Sequence, residues 1–308
     1  MSQPLLSICI PTNGIPELIF PVLDSIFVQK VDKDLFEVVV MDNGHNDDFK
    51  RQMTEYAAKY DNLIYKQTDA YEFLSESECY KSASGLFIKF VNHRTKLLPN
   101  TISYLLDFIN KNSKDKPAIY FSNGAIKGIE KIAEYDTFDG YVRGLSYWSS
   151  WSTGMGFWKE DFDSIPLNTD FNLLFPHTTI LFNEKQKKKY IIDNTVLLNE
   201  IPVSSANKGR YNLFYAFGVE YPGIICDLYR AGHISSETFL KVKGDNFGFI
   251  AGLYYDFVFL KKKCSYNLSD KEKNLNVFYS FRKIKRSVFC TFIRRCEGKV
   301  LRMLKIKK

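Results

Sequence analysis

The chain lacks the cysteine spacing that builds a metal cluster or a disulfide framework. Its six cysteines stand at 9, 79, 226, 264, 290 and 296, with no C-x-x-C pair among them. Unpaired thiols in a reducing compartment are therefore expected. Long hydrophobic runs are missing as well. The longest, residues 247–255, is broken by Asp256 and falls short of the roughly 18 residues that cross a bilayer. The opening Met-Ser-Gln-Pro has no basic n-region and no signal-peptide h-region, so no secretory leader is expected. Neither a Gly-rich phosphate loop nor an activating lysine follows the first expected strand, which weighs against a nucleotidyltransferase. No internal repeat and no low-complexity linker is present.

Acids are nearly absent from the last 28 residues, where 11 Lys/Arg face one acid, Glu297. The total charge of +7, less the tail's +10, leaves −3 on residues 1–280. The basicity belongs to a tail, which argues against a nucleic-acid-binding body. Within residues 277–308, Val277, Phe281, Ile284, Val288, Phe292, Cys296, Val300 and Met303 recur at three- and four-residue steps between the cations. That is the pattern of a basic amphipathic helix on an anionic membrane surface, against the plainer reading of a helix packed on the body with a solvated basic face.

What is present is globular: 308 residues, 45% hydrophobic and 25% charged. Aromatics reach 16%, with 26 Phe and 19 Tyr, which suits sugar or lipid contact and equally a Phe-rich core. Residues 5–10 read as a buried strand and 16–29 as an amphipathic helix. A strand at 36–41, a helix at 48–60, a short strand at 63–65 and a helix at 72–84 follow. Gly85-Leu86-Phe87-Ile88-Lys89-Phe90-Val91 reads as another buried strand, then a polar cluster, Asn92-His93-Arg94, then a Pro-opened helix over 98–110 and a strand at 118–122. This alternation predicts an α/β fold with a mostly parallel sheet and right-handed crossovers. Ligands bind beyond the carboxyl ends of such strands. Three polar clusters fall there: Pro11-Thr12-Asn13, Asp42-Asn43 and Asn92-His93-Arg94.

Ser7-Ile8-Cys9-Ile10-Pro11-Thr12, Leu23-Asp24-Ser25-Ile26-Phe27-Val28-Gln29 and Glu37-Val38-Val39-Val40-Met41-Asp42-Asn43-Gly44 together resemble the amino-terminal half of family 2 glycosyltransferases. The order and spacing match over about the first 110 residues. The resemblance implies a GT-A fold (Rossmann-like, a mostly parallel central sheet flanked by helices) with a helical C-terminal region here. It implies a nucleotide-sugar donor held by Pro11, Thr12, Asn13, Asp42 and Asn43, with Asn92 and Arg94 as further donor-binding candidates. The family's strand corresponding to 85–91 ends in an Asp-x-Asp pair that binds Mn or Mg on the donor diphosphate. Here Asn92-His93-Arg94 stands in its place. Arginine offers no acceptor to a hard cation, so no metal ligand is assigned. Three readings are open: Arg94 takes the metal's place on the diphosphate, the chain binds without turnover, or Arg94 faces solvent. His93 reads as an ordinary exposed loop histidine.

All three tryptophans fall in Tyr147-Trp148-Ser149-Ser150-Trp151-Ser152-Thr153-Gly154-Met155-Gly156-Phe157-Trp158. Aromatic faces stack on sugar rings and hydroxyls hydrogen-bond them. Trp148, Trp151, Ser152, Thr153 and Gly154 are the candidate acceptor-binding residues, and Trp158 is assigned to the core. Pro176-His177-Thr178 opens a helix about where the family places its general-base carboxylate. His177 is the candidate base, with Asp170 and Asp161 as carboxylate competitors and a structural His177 as the plainer account. Residues 185–189 read as a solvated charge run, 191–198 as a strand, and 207–212 as a Gly turn carrying two cations. Helices over 213–229 and 238–261 complete a C-terminal region.

The resulting organisation is a GT-A domain over 1–205 (donor half 1–122, acceptor half 123–205), a helical subdomain over 206–276 and the tail over 277–308. The expected activity is glycosyl transfer from a nucleotide-sugar to a saccharide, lipid-linked acceptor in bacterial surface polysaccharide, O-antigen, capsule or lipooligosaccharide synthesis, inverting and without metal. The expected location is the inner face of the cell membrane, held peripherally from the cytoplasm. The alternative is a non-catalytic GT-A-like protein that binds nucleotide-sugar or glycan beside an active enzyme.

Overall fold

The computed structural model describes residues 3–202 and 209–305, the side chains of 294–305 excepted. The chain forms two compact units, Met1–Ile201 and Pro202–Lys308.

The first unit alternates strand and helix as the apolar periodicity requires. In chain order it contains β1 (Leu6–Thr12), α1 (Pro16–Phe27), β2 (Phe36–Asp42), α2 (Asp47–Ala57), β3 (Leu63–Gln67), α3 (Ser75–Lys81), β4 (Phe87–Phe90), β5 (Thr95–Leu97), α4 (Thr101–Asn112) and β6 (Ala118–Phe121). There follow β7 (Ile132–Tyr135), α5 (Phe138–Leu145), β8 (Met155–Trp158), α6 (Lys159–Asp163), α7 (Pro176–Leu181), β9 (Tyr190–Asp193) and β10 (Leu198–Glu200). Eight strands form one sheet in the order β3-β2-β1-β4-β8-β6-β9-β7. The first four are parallel, β8 runs antiparallel between β4 and β6, β9 is parallel to β6, and β7 is antiparallel at the edge. β4 and β6 thus point the same way. The carboxyl ends of β1, β2, β3, β4, β6 and β9 and the start of β8 share one edge.

β1 and β2 are buried on both faces, as continuous Val/Ile runs in a parallel sheet must be. α1 presents Ile19, Val22, Leu23 and Ile26 to them at three- and four-residue steps. Trp158 is fully buried against Phe87 and Phe108, in the core as expected.

Several boundaries differ from the sequence reading. The polar cluster after β4 turns directly into β5, which pairs antiparallel with β10. The next helix begins only at Thr101, after Asn100 takes a left-handed conformation. The tryptophan segment is not one strand. Its first half is two 3₁₀ turns, Ser146–Ser150 and Ser152–Gly154, and only Met155–Trp158 is extended. The expected strand over 191–198 is two, β9 and β10.

The second unit is helical: α8 (Leu213–Tyr215), α9 (Tyr221–Arg230), α10 (Ser236–Tyr254), α11 (Lys271–Phe278) and α12 (Phe281–Lys305), with π turns at Ala216–Glu220 and Tyr255–Phe259. Its core gathers Phe214, Ile250, Tyr254, Tyr255, Leu275, Phe281, Ile284 and Val288. The expected tail helix is thus two elements: Val277 lies in α11, and Phe281, Ile284 and Val288 of α12 are committed to this core. That part of the amphipathic stripe is not available to a membrane. Residues 207–208 of the expected Gly turn lie outside the described residues. No described helix is long and apolar enough to cross a membrane.

Candidate active site

The sheet edge brings together the ends of β1, β2 and β4 and the turns before β8. The β1 and β2 exits are stitched to each other. Asn43 N donates to Thr12 O at 3.0 Å, and a side chain at Gly44 would stand 2.2 Å from the Asn13 carbonyl oxygen. Asp42 is buried, and both its carboxylate oxygens are engaged: Oδ1 accepts from Gly44 N at 2.8 Å and Oδ2 from the Tyr65 hydroxyl at 2.8 Å. Burial and this carboxylate push the Tyr65 phenol well above its ordinary pKa. Asn43 Nδ2 donates to Ala70 O and Glu72 O, both at 3.0 Å. Asn43 therefore braces the 68–72 loop, which the sequence reading did not include, while Asp42 holds the turn that leaves β2. Asn13 is exposed, Pro11 half-buried and Thr12 buried.

Thr12 reaches the third cluster directly. Its Oγ1 lies 3.0 Å from His93 Nδ1, so His93 is not the free loop histidine expected from sequence. Burial, helped by the neighbouring Arg94 charge, lowers its pKa to about 4, leaving a neutral imidazole that ties β1 to β4. Asn92 Oδ1 accepts from Arg94 N at 3.2 Å, closing the turn with the side chain best suited to it. Arg94 is half-buried, and among the described residues no carboxylate pairs with its guanidinium.

A divalent metal does not fit these three residues. Arginine and the neutral, occupied imidazole supply no carboxylate, and the amide oxygen is spent on the turn. No group of three His, Cys, Asp or Glu able to hold a metal occurs among the described residues.

The turns before β8 are held by buried side chains from three elements, each acting on main-chain carbonyls. Tyr120 OH donates to Trp148 O and Trp151 O, both 2.6 Å. Lys89 Nζ donates to Thr153 O (2.7 Å), Met155 O (3.1 Å) and Phe90 O (2.9 Å). His177 Nε2 lies 3.1 Å from Ser149 O. Burial lowers the Lys89 pKa to about 7, while the three carbonyls match the three N–H groups of the ammonium form. Sequence reasoning passed over Lys89 and Tyr120. The signal was a lone lysine inside an otherwise apolar strand, Phe87-Ile88-Lys89-Phe90. This mounting leaves Trp148, Trp151 and Ser152 half-exposed, with Tyr147 stacked on Trp148 at 5.0 Å and Trp148 edge-on to Trp151 at 6.0 Å. Thr153 and Gly154, proposed as acceptor contacts, are buried.

The candidate base fares differently. His177 is 3% exposed, and burial lowers its pKa to about 4. One ring nitrogen is committed to Ser149 O, so the imidazole holds the loop and has no open path to an acceptor hydroxyl. Asp161 is paired with Lys187 at 2.6 Å on α6, beyond the opposite end of β8. Asp170 is exposed on the segment joining α6 to α7.

The profile of Glycosyl transferase family 2 matches residues 7–175. The chain belongs to this family. Among solved structures, residues 1–349 of S. aureus TarS in complex with UDP align with TM-score 0.57 at 18% identity, over 82% of this chain and 75% of that one. The same TarS fragment alone gives 0.55 at 17%, over 82% and 75%. The mannosyltransferase PcManGT from Pyrobaculum calidifontis, in complex with GDP-Man and Mn2+, gives 0.54 at 13%, over 80% and 72%. These likenesses establish the GT-A fold. No curated protein matches the chain. As a family 2 glycosyltransferase it is an enzyme acting on a nucleotide-sugar, and the β1, β2 and β4 exits described above form the carboxyl edge at which such folds bind ligands.

Proposed function

We propose that the protein transfers a sugar from a nucleotide-sugar to a saccharide acceptor by a single inverting displacement in which Arg94 does the work usually given to a metal. The observation that carries this reading is the Arg94 guanidinium after β4, with which no carboxylate pairs among the described residues, on the same edge as the Thr12 and Asp42 loops. The acceptor oxygen loses its proton to a base and attacks the anomeric carbon. The bond from that carbon to the phosphate oxygen breaks, and the nucleoside diphosphate leaves with the electron pair. A forked guanidinium neutralises the developing charge. TarS bound to UDP and PcManGT bound to GDP-Man support a nucleoside diphosphate donor. With His177 closed off, Asp170 is the base in this reading.

The half-exposed Tyr147, Trp148, Trp151 and Ser152 favour a sugar-ring acceptor. The basic C-terminal region favours an acceptor carried on lipid in bacterial surface polysaccharide assembly, reached from the inner face of the cell membrane. Activity should survive EDTA and fall at least about tenfold in Arg94→Ala, as loss of a charge-assisted contact predicts. Activity abolished by EDTA and restored by Mn2+ would refute the role of Arg94. The missing carboxylates also favour a second reading, a binding protein without turnover. Slow nucleotide-sugar hydrolysis that disappears in Arg94→Ala eliminates it.

A further inference from the structure

The membrane location above was read from the apolar stripe of the tail, yet Phe281 (5% exposed), Ile284 (0%) and Val288 (3%) of that stripe are inside the second unit's core. A different face of α12 is open. Arg282, Arg286, Phe289 and Ile293 follow one another at steps of four, three and four residues and so share one side of the helix. Phe289 is 58% and Ile293 40% exposed. Lys283 and Lys285 flank this stripe, Lys285 lying over the Phe281 ring at 4.3 Å. Among the described residues none of these four cations pairs with a carboxylate.

A second element extends the patch. The π turn at Tyr255–Phe259 ends α10, and Phe259 and Leu260 stand 42% and 41% exposed. Phe259 meets Phe292 edge-on at 5.3 Å. Lys261, Lys262 and Lys263 come next in the chain, with Lys262 paired to Asp256 at 2.8 Å.

We infer that this composite face, the Arg282-Arg286-Phe289-Ile293 side of α12 together with Phe259–Lys263, is what docks on an anionic bilayer. The inference rests on the membrane location proposed above and changes the residues responsible for it. Charge complementarity selects the occupant. Cations beside exposed phenyl and branched aliphatic groups match a surface with anionic headgroups over hydrocarbon. A second copy of the chain would set like charges against each other, and a nucleic-acid backbone would leave the apolar side chains without a partner.

The test is co-sedimentation of the full chain with vesicles of phosphatidylcholine, with and without phosphatidylglycerol. Wild type should bind only the anionic vesicles and release in high salt. Phe289→Ser/Ile293→Ser and Arg282→Glu/Arg286→Glu should each weaken binding about tenfold or more. Leu240→Ser is the control for general hydrophobicity. Leu240 is 63% exposed and about 28 Å back along the helix from Phe259, and its variant should bind as wild type. A wild type that binds no vesicle defeats the membrane reading itself. A wild type that binds while both stripe variants bind equally well, or while Leu240→Ser loses as much, overturns this surface alone. So does a wild-type dimer that either stripe variant splits in gel filtration, since the face would then seat a second copy.

Discussion

A methyl group on Gly154 would sit 2.1 Å from Tyr120 Cζ, and the same ring's hydroxyl holds two carbonyls of the tryptophan turns. Gly154→Ala must displace that ring, and an overpacked site of this kind costs about 1–3 kcal/mol. Urea unfolding should show that loss, with a rise in acceptor KM because Trp148 and Trp151 lose their mounting. Lys89→Met keeps the volume and strands three buried carbonyls, so it should destabilise by at least about 2 kcal/mol. His177 separates two accounts. As a holder of Ser149 O it is replaceable by a side chain that still donates, so His177→Gln should keep kcat within about tenfold of wild type. A general base would cost 10²–10⁴-fold in any non-basic variant, on the order expected for proton-transfer groups. The loops carrying Thr12, Asp42 and Arg94 were legible because strand ends are set by short-range apolar patterning. What each side chain does there was not. The Thr12–His93 bond and the grip of Lys89 join residues 81 and 64–66 positions apart, and one chain's periodicity carries no such pairing.

At the scale of elements, two acids are buried where their charge is costly. Glu76 on α3 and Glu184 after α7 both have pKa values raised to about 8 by burial; Asp161 adds to the rise at Glu184 and Lys187 opposes it. Each has a carboxylate oxygen without a partner among the described residues. Unfolded, they would release protons from about pH 4.5. Their contribution to stability is therefore full below pH 4.5 and lost as pH rises through 8. His177 acts in the other direction: its contribution is full above pH 6.5 and lost as pH falls towards 4. Between pH 4.5 and 6.5 the two trends oppose each other, and from pH 6.5 to 8 only the two acids, of these three groups, change the stability seen in thermal melts. Glu184→Gln or Glu76→Gln should raise Tm at pH 8.5 by at least about 2 °C and leave it unchanged at pH 4.5. A Tm gain equal at both pH values would show that ionisation is not the cause. The helices and parallel strands were legible because periods of 3.6 and of continuous apolar residues differ. The 3₁₀ turns, β5 and the division at residues 279–280 were not, since tertiary pairing and core packing impose them on segments with weak local preference.

At the scale of the whole molecule, family membership and the GT-A likeness fix what kind of reaction the sheet edge serves, and the open point is how the diphosphate charge is met. A donor that binds the folded form alone raises Tm in proportion to ln(1 + [L]/Kd), so a series of nucleotide-sugars at fixed concentration should rank by Tm and identify the base. The most direct measurement is calorimetric titration of that best nucleoside diphosphate into wild type and Arg94→Ala, each in EDTA and then with Mn2+. The account predicts binding in EDTA, less than about a twofold gain from Mn2+, and at least about tenfold weaker binding in Arg94→Ala, the value of one charge-assisted fork. Binding that vanishes in EDTA, returns with Mn2+ and ignores the arginine would contradict it.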